Sequence, residues 1–153
     1  MHRIACARAR LNSARTMPDM LSAACNAFEL MLATIREHEE RADGLFAAFV
    51  MAAASAADGR DALLTAPSLP WPLPTVSAPS AASDSDTSGQ ATAPPTAIGV
   101  DEVADALAEV SQLTAAVLTT VGRHTADPAD NAACADAARC AQAMWSLLAW
   151  PGP

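Results

Sequence analysis

The residues with the strongest claim to chemistry lie in "REHEER", positions 36–41, where His38 stands among three glutamates and two arginines. An imidazole beside carboxylates could hold a metal ion or move a proton. On a helix, however, ligands that share a face stand three or four residues apart, and at those distances His38 meets Thr34, Ile35, Arg41 and Ala42, none of them a carboxylate. The zinc-protease pattern HExxH needs a second His at position 42, which is Ala. Glu37 and Arg41 stand four apart in the favourable order, and Arg36 can reach Glu39 or Glu40. The cluster therefore reads as a solvated, ion-paired helix face, with His38 a partly buried, hydrogen-bonded residue.

Other candidates fail on spacing. "DSDTSG" at 84–89 matches the first half of a calcium loop, but the twelfth place, which should be a bidentate Glu, is Pro95. Cys134 and Cys140 stand six apart, roughly 120° around a helix, and with Cys6 and Cys25 they show neither zinc-site pairing nor the density of a disulfide scaffold. Reduced thiols in a cytoplasmic protein are expected. No nucleophile elbow, phosphate loop or Ser/His/Asp arrangement is present. Catalytic residues, metal ligands and cofactors are therefore expected to be none.

The elements that would position any site are helices. Pro18 and Asp19 suit a first turn, and the apolar pattern that follows runs to Gly59. Leu21, Phe28, Ile35, Ala42, Phe49 and Ala56 repeat every seven residues, and Ala24, Met31, His38, Leu45 and Ala52 follow each by three. The charged side chains avoid both lines. Within this stretch "LFAAFVMAAASAA" (45–57) is free of charge, but at about 1.5 Å per residue it extends only about 20 Å, too short for a bilayer core of about 30 Å.

Residues 65–99 hold seven of the eleven prolines and should form a linker, disordered from about Val76 to Thr96. Within it Pro67, Pro70 and Trp71 ("PSLPWPLP") could dock on a partner as a polyproline ligand. The preferred reading is a tether that lays Trp71 and Leu73 over the end of a bundle, since burying a Trp contributes on the order of 2–3 kcal/mol. Beyond the linker, 100–150 reads as an antiparallel helical hairpin. Val103, Leu107, Val110, Val117 and Val121 share a face on its first helix, which should stop at Gly122. Asp127, Pro128 and Asp130 start its second, and Ala137, Ala141, Met144 and Leu148 line it.

Composition restricts the partners. Net charge is −8, and residues 1–16 hold Arg3, Arg8, Arg10 and Arg15 without an acid, so five arginines oppose all seventeen acids in the rest. An acidic body disfavours nucleic acid and anionic lipid. The arm, interrupted by arginines throughout, does not read as a signal peptide; either translation starts at Met17 or 1–16 is a disordered basic tail. Alanine is about a quarter of the chain and every basic residue is Arg, which fits a GC-rich bacterial genome.

The expectation is thus an all-α bundle: a disordered arm (1–16), an N-terminal helical segment (17–64), a linker (65–99) and a hairpin (100–150). A continuous helix over 18–58 would be about 60 Å long against about 33 Å for each hairpin helix. Either it folds back near Gly44, or the surplus apolar face around Leu45, Phe46, Phe49 and Val50 is buried by another chain, with a homodimer expected. The expected function is non-enzymatic, a small regulatory protein working through helix–helix contacts. The alternative is a bundle that binds a small apolar ligand or does chemistry in its Ala-lined interior.

Overall fold

The computed structural model describes residues 1–42, 44–73 and 99–149, and these are all-α, with no strand among them. Helix α1 spans His2–Ser13, α2 Met17–His38, α3 Phe46–Leu64, α4 Val100–His124 and α5 Pro128–Leu148, with one 3-10 turn at Glu39–Arg41. Local chemistry explains the starts. Thr16 caps α2 by accepting from the Asp19 N–H at 3.3 Å, and Asp127 caps α5 by accepting from the Ala129 N–H at 2.8 Å, each just ahead of a proline in the first turn.

The N-terminal segment is broken near Gly44. After the 3-10 turn the Leu45 N–H bonds to the Ala42 carbonyl at 2.7 Å, and α3 returns antiparallel along α2. The seven-residue line survives the break: Leu21, Phe28, Ile35, Ala42, Phe49 and Ala56 are all buried, because α2 and α3 close the same stripe upon itself. Folding back also removes the length mismatch. At about 33 Å and 29 Å, α2 and α3 match the hairpin helices.

Around the bundle the order is α2, α3, α5, α4, each packed on the next and α4 returning to α2. The short connections from α2 to α3 and from α4 to α5, with the bond from Ser68 just past α3 to Asp130 at the start of α5, fix the directions. All four neighbouring pairs are antiparallel, so α3 and α4 sit at opposite corners and run the same way. The end of α3 and the start of α4 are consequently at opposite ends of the bundle, and no tight turn could join them. A long connection between the halves is a requirement of this topology.

Several boundaries differ from expectation. The arm is a helix: α1 lies over the seam of α2 and α4 with Ile4 and Leu11 buried, Arg3 paired to Glu37 at 3.1 Å and Arg8 to Glu109 at 2.6 Å. Two apolar anchors seven residues apart, with alanines between, are enough of a face once a groove exists to receive them. The ion pairs are exposed and contribute at most about 1 kcal/mol each. Helix α3 continues through Gly59 to Leu64, and α4 through Gly122 to His124, because both glycines face close helix crossings. The linker begins later than expected. Ala66 is buried, and Leu69 and Leu73 pack against the core, while the stretch expected to be disordered and the calcium-like 84–89 lie outside the described residues.

Candidate interaction surface

Helix α3 is apolar on nearly every side over its first three turns, which ordinarily marks a helix surrounded by protein. Here α2 and α5 cover two sides, and the third carries Phe46, Val50 and Met51, exposed by 52%, 43% and 58%. Of the interface residues expected from sequence, Phe46 and Val50 lie on this free face and Leu45 is half-buried at its edge. Phe49 does not belong to it. Its ring is fully buried in the chain's own core, since it stands on the seven-residue line that the fold-back closes. Met51 is the member missed, one residue beyond Val50 in a run of alanines where no spacing singles it out.

The proline-rich segment is split. Leu73 packs on the bundle as expected, but Trp71 is 80% exposed, so the reading that buries both is corrected. What holds this segment is polar. The fully buried Asp130 carboxylate accepts from the Ser68 N–H at 3.0 Å and from the Ser68 hydroxyl at 2.6 Å. With Ala66 and Leu69 packed before and after it, the anchor fixes the backbone while Pro67 and Trp71 face solvent and Pro70 is half-buried. Sequence gave no sign of this bond, which joins residues sixty-two positions apart.

The residues weighed for chemistry are dispersed. His38 is half-buried on the seam and its Nδ1 lies 3.0 Å from the Thr34 carbonyl, one turn back. Glu37 pairs with Arg3 of α1, not with Arg41, which lies in the 3-10 turn where the four-residue helical spacing no longer applies. All four cysteines are free. Burial pushes the Cys25 thiol up to about 11, with Glu29 adding to it, and burial together with Asp130 does the same to Cys134. Only Cys6 is exposed, its sulfur 3.6 Å from His2 Nε2 on the outer face of α1. Among the described residues no three His, Cys, Asp or Glu side chains are placed to hold a metal ion, and no helix is long and apolar enough to cross a membrane.

The interior alanines at 24, 52, 56, 137 and 141 are fully buried, as are Phe28, Phe49, Met31 and Met144. No protein-family model matches this chain, and comparison with curated proteins and with solved structures likewise finds no match. The class that fold and surface define is a small antiparallel helical bundle with a free apolar helix face.

Proposed function

We propose that this protein is a non-enzymatic helical interaction protein that associates through the outer face of α3. One observation carries the reading: Phe46, Val50 and Met51 form an exposed apolar stripe on a helix with no charged residue until Asp58. A second copy of the chain is the occupant that fits. A stripe without charge is self-complementary under a two-fold axis, with nothing on either copy to repel the other, and the alanines at 47 and 54 on the same face allow two helices to approach closely. The four free thiols support a reducing, cytoplasmic setting for this role.

The test is the mass in solution of the wild type and of Met51→Glu. The proposal expects a dimer at high micromolar concentration that the substitution converts to a folded monomer with unchanged helicity. A wild type that stays monomeric at that concentration, or a dimer indifferent to Met51→Glu and to Phe46→Glu, overturns it.

A further inference from the structure

Helix α1 stands outside the closed ring formed by α2, α3, α5 and α4, and packs into the groove between α2 and α4. Ile4 and Leu11, 6% and 3% exposed, fill the apolar floor of that groove. Arg3 pairs with Glu37 on the α2 wall, and Arg8 pairs with Glu109 on the α4 wall. An apolar floor with an acid on each rim is complementary to one kind of ligand, a short helix with two apolar anchors seven residues apart and arginines on both flanks. Helix α1 has that composition, with three arginines and no acid.

Little holds α1 in place. Ile4 and Leu11 are its only buried residues, no side chain caps its start, no acid stands in its first turn, and both ion pairs are exposed. Its departure would leave the start of α2 intact, because that turn is capped from within: Thr16 accepts from the Asp19 N–H, and Pro18 has no N–H to satisfy. An element with few buried contacts, joined to a helix that caps itself, opens on its own while the rest of the fold stays closed.

We infer that the groove between α2 and α4 is a docking site for a basic amphipathic helix of a partner protein, and that α1 is its built-in competitor. In the free chain α1 fills the groove, and a partner helix of the same chemistry takes its place. The residues involved are not those of the free α3 face, so this site does not depend on association there. The tether sets the scale. A short link gives α1 an effective concentration on the order of millimolar at its own groove, so docking favoured about tenfold to hundredfold corresponds to a Kd of roughly 10–100 µM for the same helix supplied free. In the wild type the competitor raises the apparent Kd toward about 1 mM.

The test uses a labelled peptide of residues 2–15 with both ends blocked, and the full chain carrying Leu11→Asp, which turns its own α1 out of the groove. Saturable binding to the variant is expected, with binding about tenfold weaker or more to the wild type, as competition by α1 implies. A peptide carrying Arg3→Glu and Arg8→Glu should bind the variant about tenfold weaker or more, since both rims then repel it. Amide exchange of the wild type needs no variant: α1 should exchange faster than α2, α3, α4 and α5, and several-fold faster again at about 0.5 M than at about 0.02 M NaCl, where the exposed pairs are screened. A Leu11→Asp chain that unfolds, or one that stays helical but binds no peptide, would overturn the inference. So would equal binding of the charge-reversed peptide, equal binding to the wild type, self-association of the variant in place of peptide binding, or α1 amides that exchange only with the core.

Discussion

Gly59 of α3 lies against the ring of Phe28 of α2 so closely that a Cβ at position 59 would stand 2.5 Å from Phe28 Cζ and 3.1 Å from Cys140 Cβ. Where three helices converge, the missing side chain is what lets a fully buried phenylalanine occupy the space between α2, α3 and α5.

Gly59→Ala should therefore destabilise, although alanine in a helix interior ordinarily gains about 1 kcal/mol over glycine. The overpacking cost, about 1–3 kcal/mol, exceeds that gain, because the Phe28 ring is enclosed and cannot swing away. Gly44→Ala is the control, since a Cβ there meets nothing within 4 Å. Chemical denaturation of both variants checks the contrast; a stabilised Gly59→Ala would show that the crossing is looser than described.

Asp130→Ala should cost about 2–3 kcal/mol and expose the segment after α3 to proteolysis. It strands the Ser68 N–H and hydroxyl, which bond to that carboxylate at 3.0 and 2.6 Å. Asp130→Asn can still accept from the N–H and donate to the hydroxyl, so it should lose less. Equal losses in the two variants would place the role of Asp130 in the start of α5 instead.

Leu11→Ala should lower stability by about 2–4 kcal/mol, since Leu11 is 3% exposed between α1 and the seam of α2 and α4. Amide exchange should then speed up throughout α1 before the rest of the bundle opens. Unchanged stability would mean that α1 is dispensable to the bundle.

Alkaline pH should destabilise the protein through two thiols. Cys25 and Cys134 keep their protons up to about 11 when folded, against 9.0 for an ordinary thiol. Between those values the unfolded chain has lost protons that the folded chain retains, so stability is intact below pH 9 and falls as pH rises toward 11, by about 2–3 kcal/mol per thiol. The chain has neither Lys nor Tyr, so few other groups titrate in that window. Melting temperatures from pH 8 to 11 should decline for the wild type and decline much less for Cys25→Ala/Cys134→Ala. Parallel declines would assign the effect elsewhere.

Some of this was legible without coordinates because it depends on periodicity and on end chemistry. The line from Leu21 to Ala56 is a register on a helix, and every member is buried. Asp127 and Pro128 begin α5 through bonds within a single turn. The inner face from Ala137 to Leu148 follows from the same repeat.

What tertiary structure alone decided depends on which faces meet. A seven-residue line does not say whether α2 and α3 are one helix seeking a partner or two that cover each other, so Phe49 read as an interface residue and is a core residue. Ile4 and Leu11 are too few to mark a helix until α2 and α4 provide a groove for them. Gly59 looks like a helix end in sequence and is a helix crossing in space. The Ser68–Asp130 bond joins groups whose separation along the chain carries no period. Local chemistry fixed where the helices are, and only their packing determined which side chains remain free to bind.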